Sequence, residues 1–292
     1  MAYRKAFIVE PGSKVKLDKI DPADTGKHES QEKSKAEVEA NLERLRKAQY
    51  LLYADAGQSM LIVLQGLDAS GKDGTIGHLF SGMNPLGVKV ARFNPPTPEE
   101  AAHDFLWRVH AKTPGKGEIV IFNRSHYEDV LVARVHKLVP KSVWSKRYDL
   151  IDNFEKLLAR NRTRILKFYL HISQEQQLKR FKQRLDDPAR QWKISESDYT
   201  ERALWPKYKD AYEDALALTS TDDAPWFIIP SDHKWFRNLA ISEIVADAME
   251  AMKLKLPPPR VDIAEIRRKY HLEENKVVGR GVNGRPAGKG AR

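Results

Sequence analysis

The sequence predicts an α/β fold in which a five-stranded parallel sheet is covered by helices on both faces. Two observations support this prediction. Five short apolar segments of strand character alternate with segments of helical periodicity, and this alternation requires crossover connections that make the strands parallel. In addition, a G-x-x-x-x-G-K pattern follows the first apolar segment and opens a helical one, which is the setting of a phosphate-binding loop.

The predicted elements lie in one stretch of chain without an internal repeat or linker. We expect a single domain at residues 31–256, after an irregular N-terminal arm (1–30) and before a C-terminal extension (257–292) with a disordered basic tail from Lys276. The strand segments are 60–65, 88–93, 119–123, 166–171 and 226–229. The helical segments are 31–54, 75–83, 99–112, 148–160, 174–184, 196–218 and 238–253.

Composition narrows the class of protein. No apolar run approaches the ~20 residues of a membrane helix, no secretory signal is evident, and the chain has no cysteine. We therefore expect a cytoplasmic protein without membrane contact, disulfides or thiolate chemistry. The net charge is +10, which favours a polyanionic partner such as nucleic acid, a nucleotide or polyphosphate. A solvated basic surface explains the charge equally well.

The phosphate-binding loop spans residues 66–72, Gly-Leu-Asp-Ala-Ser-Gly-Lys. Glycines let successive backbone N–H groups point inward, the following helix contributes its positive end, and Lys72 adds a mobile charge. Asp73 occupies the position where Ser or Thr normally contacts Mg²⁺, and Asp68 is an unusual carboxylate within the loop. Either Asp is a candidate Mg²⁺ ligand, directly or through water, while Asp73 is equally suited to cap the helix.

The third strand ends at Asn123, followed at once by Arg124, with Glu128 four residues later. A strand that ends in a polar group here is where a Walker B acid would lie. Asn is a weaker, neutral Mg²⁺ ligand, so Glu128 or the loop aspartates must supply the negative charge. Arg124, at the carboxyl edge of the sheet where ligands bind in such folds, is placed to reach phosphate.

A basic segment follows the fourth strand. The helical pattern breaks at Asp187-Pro188 and resumes after Ser195, which gives a helix, a loop and a helix. This shape predicts a lid, at about residues 179–200, that closes over a phosphoryl group. Its positive residues are Lys179, Arg180, Lys182, Arg184, Arg190 and Lys193.

Residues 94–100, Asn-Pro-Pro-Thr-Pro-Glu-Glu, follow the second strand. The prolines force an extended turn, and Thr97 with Glu100 forms a capping-box pattern for a helix. No G-x-S-x-G or H-E-x-x-H pattern is present, so serine nucleophile and zinc-protease chemistry have no support.

The combination of these motifs resembles the polyphosphate kinase 2 family. The matching segments are 66–74 (GLDASGKDG), 96–100 (PTPEE), 122–128 (FNRSHYE) and 184–193 (RLDDPARQWK), and the order and spacing hold over about residues 31–256. The resemblance implies a three-layer α/β/α P-loop kinase fold, similar to thymidylate kinase, with a helical lid. It also implies Mg²⁺-dependent transfer of a phosphoryl group between inorganic polyphosphate and a nucleotide. Asn123 with Glu128, where many members have Asp, is similar to the class III subgroup that acts on AMP and ADP.

The motifs and the resemblance together predict the site. The expected catalytic residues are Asp68, Lys72, Arg124 and Arg184. The expected phosphate and polyphosphate ligands are Gly66, Ala69, Ser70, Gly71, Lys72, Gly74, Thr75, Arg124, Arg180, Arg184, Arg190 and Lys193. The expected nucleotide contacts are Asp68, Asn94, Pro96, Thr97, Asn123 and Glu128. Asp68, Asp73 and Asn123 are the candidate ligands of Mg²⁺ or Mn²⁺.

The expected substrates are polyphosphate with AMP, ADP and ATP, and the family suggests a homodimer or homotetramer. Two other functions stay open on sequence grounds. An ATP-dependent nucleotide or small-molecule kinase would use the same loop. A non-catalytic nucleic-acid binder would use the net charge, but it leaves the loop unexplained and shows no nucleic-acid-binding motif, so we expect no nucleic-acid partner.

Overall fold

The computed structural model describes residues 2–282. These residues fall into two compact units, one that ends at Lys255 and one that begins at Leu256. Among the described residues, no helix is both long enough and apolar enough to span a membrane.

The first unit is built around the predicted sheet. Its five strands lie in the order β2-β3-β1-β4-β5 and all pair in parallel. Strand β1 lies at the centre and every one of its residues is buried, as expected for the middle of a sheet covered on both faces. The strands are β1 (Ser59–Gln65), β2 (Val88–Arg92), β3 (Ile119–Asn123), β4 (Thr163–His171) and β5 (Trp226–Pro230).

Thirteen helices accompany the strands in the part of the chain that is described. Short 3-10 turns lie at Leu17–Lys19, Pro85–Gly87, His126–Asp129 and Gln191–Lys193. The α-helices are α1 (Ala2–Phe7), α2 (Gln31–Asp55), α3 (Lys72–Phe80), α4 (Pro98–Ala102), α5 (Trp107–His110), α6 (Val132–Val135), α7 (Lys141–Trp144), α8 (Arg147–Arg160), α9 (Gln174–Asp186), α10 (Glu196–Ala203), α11 (Trp205–Thr219), α12 (Lys234–Glu250) and α13 (Ile263–Val282).

Two apolar cores lie on opposite faces of the sheet. Side chains of β1 alternate between them: Leu61 and Val63 enter one core, and Met60, Ile62 and Leu64 enter the other. Residues of α5, α6, α8 and α11 cover the first core, and residues of α1, α2, α3 and α12 cover the second. The arrangement is a three-layer α/β/α sandwich, which confirms the predicted fold class.

Two predicted helices are divided in the structure. The segment 99–112 contains α4 and α5, separated where the Asp104 side chain accepts a hydrogen bond from Leu106 N at 2.9 Å, a local bond that competes with helix formation. The segment 196–218 contains α10 and α11, which meet at Leu204. Pro206 lies in the first turn of α11, where its missing N–H is tolerated, and it cannot continue the preceding helix.

The terminal regions also differ from their predictions. The N-terminal arm, expected to be irregular, begins with helix α1 and is hydrogen-bonded to the domain, for example from Val9 N to Trp226 O at 2.9 Å. In the second unit, the tail expected to be disordered from Lys276 is helical as far as Val282 because α13 includes it. The rest of that predicted tail, residues 283–292, lies outside the described residues.

Candidate active site

The loop between β1 and α3 has a backbone that requires glycine at two positions. Gly66 has φ 148° and Gly71 has φ 109°, values that L side chains rarely adopt. A Cβ at Gly66 would lie 2.9 Å from Leu170 O, and one at Gly71 would lie 1.8 Å from Arg237 Nη1. Glycine is therefore required at both positions of the motif, because strand β4 lies close to Gly66 and the buried side chain of Arg237 lies close to Gly71.

Helix α9 supports the loop from one side. Gln177 Nε2 donates to Asp68 O at 2.9 Å, and Arg180 Nη1 donates to Ala69 O at 2.7 Å and to Ser70 O at 3.0 Å. The second amino group of Arg180 donates to the carbonyls of Ser231 and Asp232, just after β5. These contacts fit a residue that positions the loop, and the contact of Arg180 with phosphate stays a prediction.

Lys72 begins α3 and turns back into the loop. Its Nζ donates to Gly66 O at 2.6 Å and to Leu67 O at 3.3 Å. Burial lowers the pKa of Lys72, and the carboxylate of Asp68 opposes that shift. The ammonium of Lys72 is thus enclosed by the phosphate-binding loop.

Asp68, Arg124 and Glu128 meet where the loop approaches the end of β3. Arg124 Nη2 donates to Asp68 Oδ1 at 3.2 Å, and its Nη1 lies 3.8 Å from Glu128 Oε2. Burial raises the pKa of Glu128, and Arg124 opposes the shift. Arg124 adopts φ 62°, a conformation that costs a non-glycine residue about 1 kcal/mol, and its N–H donates to Leu64 O at 3.1 Å. The backbone of Arg124, from which the side chain extends, is therefore held by strands β1 and β3.

Asp73 and Asn123, two of the predicted Mg²⁺ ligands, are in contact. Asn123 Nδ2 donates to Asp73 Oδ1 at 2.8 Å, and Arg92 lies 3.6 Å from the same oxygen. The third, Asp68, is paired with Arg124 instead. The described residues contain no group of three or more His, Cys, Asp or Glu arranged for a metal ion. One or two oxygen ligands do suit Mg²⁺, which is usually completed by water and substrate phosphate.

Two cavities meet at this point, and both are lined by Asp68 and Arg124. The larger has a volume of about 730 Å³ and is lined by nine Lys and Arg residues but only three Asp. The smaller has a volume of about 310 Å³. Its aromatic and aliphatic lining consists of Leu67, Pro95, Leu131, Val132, Trp205, Tyr208 and Tyr212. Its charged lining, besides the shared pair, consists of Glu128, Glu201 and Arg202.

The predicted lid has the expected helix, loop and helix, formed by α9, residues 187–195 and α10. Four of its basic residues, Arg180, Arg184, Arg190 and Lys193, line the larger cavity. Arg184 Nη1 donates to Lys193 O at 3.2 Å and lies 3.7 Å from Asp198. Arg190 pairs with Asp187 at 2.9 Å, and the ammonium of Lys193 lies 5.0 Å from the ring centre of Trp192.

Some predicted residues lie away from the cavities. Ser70 and Thr75 are buried, and Thr75 Oγ1 donates to Gly71 O within α3. Thr97 forms the expected capping box with Glu100 at the start of α4. Neither Thr97 nor Pro96 lines a cavity, whereas Asn94 lines the larger one and Pro95 the smaller one.

The sequence predictions missed several cavity residues. Lys234 and Arg237 of α12 line the larger cavity, and Trp205, Tyr208 and Glu201 line the smaller one. The first pair follows β5 at the carboxyl edge of the sheet, a position that marks ligand contacts in α/β folds. The second set comes from α10 and α11, whose relation to the loop had no signal in the sequence.

His126 belongs to a buried polar cluster beneath the end of β3. Its Nε2 lies 3.1 Å from Glu155 Oε1, and the same carboxylate accepts from Lys167 Nζ at 2.5 Å and from Tyr127 at 3.0 Å. All four side chains are at most 2% exposed. The cluster anchors the turn that carries Glu128, and it gives His126 a structural role.

A phosphate-binding loop after the central strand of a five-stranded parallel sheet, beside a basic helical hairpin, defines a P-loop kinase fold. The model of the polyphosphate kinase 2 family matches residues 28–257. The chain is 49% identical over 256 residues to the AMP/ADP-polyphosphate phosphotransferase of Meiothermus ruber, which covers 87% of this chain and 96% of the relative. It is 43% identical to the ADP-polyphosphate phosphotransferase of Rhodopseudomonas palustris, over 87% and 92% of the two chains.

A solved structure agrees with these relatives. Polyphosphate kinase 2 from Arthrobacter aurescens superimposes with a TM-score of 0.88 at 37% identity, over 93% of this chain and 96% of that one. The protein belongs to the polyphosphate kinase 2 family.

Proposed function

We propose that this protein transfers a phosphoryl group between inorganic polyphosphate and AMP or ADP, forming ADP or ATP. The observation that carries the proposal is the meeting of two chemically different cavities at Asp68 and Arg124. A transfer between two substrates requires two binding sites that share the reacting point. The names of the relatives supply the identity of those substrates.

The larger cavity is the proposed site of polyphosphate. Polyphosphate is a chain of like charges, and the excess of Lys and Arg in this lining suits it. The lining includes the loop lysine, Lys72, and the lid residues Arg184, Arg190 and Lys193. These residues thereby keep the phosphate-binding roles that the sequence predicts.

The smaller cavity is the proposed site of the nucleoside. Trp205 and the two tyrosines offer ring surface for a base. Asp68 and Arg124 at the shared wall would orient the acceptor phosphate, while Asn94 and Asn123 approach it from the other cavity. We place no direct contact on Pro96 or Thr97, whose contribution is to shape the turn before α4.

In the proposed reaction, the bond between the terminal phosphorus of polyphosphate and its bridging oxygen breaks. A bond forms between that phosphorus and a phosphate oxygen of AMP or ADP, and the bridging oxygen leaves as the new terminal oxygen of a polyphosphate that is one phosphate shorter. Lys72, Arg124 and Arg184 spread the charge of the loose transition state. Asp73 and Asn123, with Asp68 from the loop, would hold Mg²⁺ or Mn²⁺, and the ion would supply further positive charge to the phosphoryl group in transfer.

The proposal also includes the cellular location and the oligomeric state of the protein. We also propose a cytoplasmic location, because AMP and ADP, the proposed acceptors, belong to the cellular nucleotide pool. The relatives' family also motivates a homodimer or homotetramer, which sedimentation would measure directly.

A coupled luciferase assay tests the function. We expect light from ADP with polyphosphate, and from AMP with polyphosphate after two successive transfers. No ATP from either mixture, together with turnover of AMP by added ATP, would instead establish an ATP-dependent kinase.

A further inference from the structure

Glu201 is a carboxylate in the wall of the smaller cavity that, among the described residues, pairs with neither lysine nor arginine. It lies on α10, its side chain is 28% exposed, and it lines the cavity. Its contacts are with His136 Nε2, at 3.0 Å, and with the hydroxyl of Tyr208, at 2.6 Å. The other two carboxylates of this cavity both lie beside Arg124. The negative charge of Glu201 is therefore not offset by a permanent cation.

Both hydrogen bonds of Glu201 go to the same carboxylate oxygen, Oε2. The hydroxyl of Tyr208, a buried residue of α11, donates to it. A carboxylate only accepts hydrogen bonds, so His136 Nε2 must carry the proton in the second one. Within the part of the chain that the structure describes, no hydrogen bond reaches the other oxygen, Oε1. The carboxylate is thus held by two different elements, and it keeps one acceptor for a ligand of the cavity.

The charge of this acceptor decides which part of a nucleotide it can contact. Ionised phosphate oxygens are negative and do not donate hydrogen bonds, so Glu201 repels them. The nucleoside carries donors in two places, the hydroxyls of the ribose and the amino group of adenine. A hydrogen bond from either to a carboxylate is stronger than one to a neutral acceptor. The partner of Glu201 must therefore belong to the nucleoside and not to the phosphates.

We propose that Glu201 is a specificity-determining residue that accepts a hydrogen bond from a ribose hydroxyl or from the amino group of the base. The inference rests on the proposed function and deepens it, because it names the kind of group by which the smaller cavity selects its nucleotide. A nucleotide without that donor leaves the carboxylate unpaired in the complex, which disfavours binding. Tyr208 and His136 are positioning residues, since they orient the carboxylate.

The test compares ADP with three analogues in the parent protein and in Glu201→Gln, which keeps the size of the side chain and removes its charge. The analogues are 2′-deoxy-ADP, 3′-deoxy-ADP and inosine diphosphate, and each lacks one candidate donor. We expect KM for ADP to rise about tenfold in the variant, equivalent to about 1.4 kcal/mol. KM for polyphosphate and kcat should stay within about twofold of the parent. Chromatographic separation of the nucleoside triphosphates measures turnover of all four acceptors.

One analogue should behave differently from ADP, and it identifies the donor. KM for the analogue that lacks the group bound by Glu201 should already be raised in the parent. It should not rise further in Glu201→Gln, because the hydrogen bond is missing in both cases. The two deoxy analogues report on the ribose, and inosine diphosphate reports on the amino group of the base.

Glu196→Gln is the matched control. It makes the same change at an exposed position in the first turn of α10, and it should leave the constants for all four acceptors unchanged. Thermal melting checks the fold of both variants. If Glu201→Gln does not fold, Tyr208→Phe keeps the carboxylate and removes one of the hydrogen bonds that orient it, so it should show the same pattern among the acceptors more weakly.

Equal rises in KM for all four acceptors, or no rise for any of them, would refute the role in specificity. A lower kcat shared by all four would also refute it, because Glu201 would then act on the metal ion or on the reacting phosphates. The unaltered protein separates these outcomes from a failure of the proposed function. If it forms no ATP from ADP and polyphosphate, the proposed function itself fails.

Discussion

The two cavities that meet at Asp68 and Arg124 differ in the chemistry of their linings. The lining of the larger one includes exposed cations, such as Arg190 and Lys193. The smaller one presents the ring faces of Trp205 and Tyr208, and Tyr208 is fixed by a 2.6 Å hydrogen bond to Glu201. Charge suits a repetitive chain that can bind in many registers, and shape suits a single nucleoside. Only Asp68 and Arg124, which line both cavities, have to suit both kinds of ligand.

The largest expected effect comes from Lys72→Ala. Removing the loop cation should lower kcat by about three orders of magnitude, because it takes away charge stabilisation present in the transition state. Luciferase-coupled ATP formation measures the loss, and circular dichroism melting checks the fold. Near-normal turnover in a folded variant would show that the junction of the cavities is not the reacting point.

Ionic strength should separate the cavities next. Raising salt from about 0.05 to 0.3 M shortens the screening length to about two fifths. We expect KM for long polyphosphate to rise more than tenfold and KM for ADP to rise only about two- to threefold. Steady-state kinetics at five salt concentrations give both slopes. Parallel slopes would mean that the smaller cavity also binds mainly by charge.

A pair of tryptophans allows a crossed comparison. Trp192 lines the larger cavity and Trp205 the smaller one. We expect Trp205→Ala to raise KM for AMP and ADP about fivefold with KM for polyphosphate unchanged, because stacking contributes about 1 kcal/mol. Trp192→Ala should do the reverse, since Lys193 packs on that ring. Each variant is the other's control, and an effect of either one on both substrates would contradict the division.

The smallest effect concerns the contribution to stability of Glu128, which lines the smaller cavity beside Arg124. Burial raises the pKa of Glu128 from its ordinary value near 4.5, so the folded protein retains this proton to a higher pH than the unfolded chain does. Wild-type stability then falls as pH rises above about 4.5. In Glu128→Gln that contribution is absent, so its melting temperature relative to wild type should increase from pH 4 to pH 7. A difference in melting temperature between Glu128→Gln and wild type that is constant across this range would contradict the raised pKa of Glu128.

The sequence was sufficient for the sheet and the loop because both have strong local signals. Strand β3 begins and ends where its apolar run does, and the glycine spacing of the loop survives as two positive-φ positions. The sequence pattern predicts the start of α12 at residue 238, four residues after its start in the structure. That shift left Lys234 and Arg237 outside the predicted helix and hid their common face.

Long-range placement was the part that sequence could not supply. The sequence pattern predicts that Arg180, like the other basic residues of its segment, contacts phosphate. In the structure, however, its guanidinium donates four hydrogen bonds to backbone carbonyls. The aromatic wall of the smaller cavity comes from α11, which follows a break at Leu204 that a continuous helical pattern conceals. Both facts depend on which helix packs beside the loop, and periodicity carries no information about that.

The contacts of Arg180 have a mechanical consequence for α9. The first half of this helix is tied down at Ser173, which donates to Asp232 from its N–H and Oγ, and at Gln177 and Arg180. If the predicted lid closes, we expect its hinge to lie after Arg180, near Asp187 and Pro188, because the first half of α9 is held by these hydrogen bonds. Such a hinge would let the tip that carries Arg190 and Lys193 close over a phosphate chain while the loop beneath it stays in place.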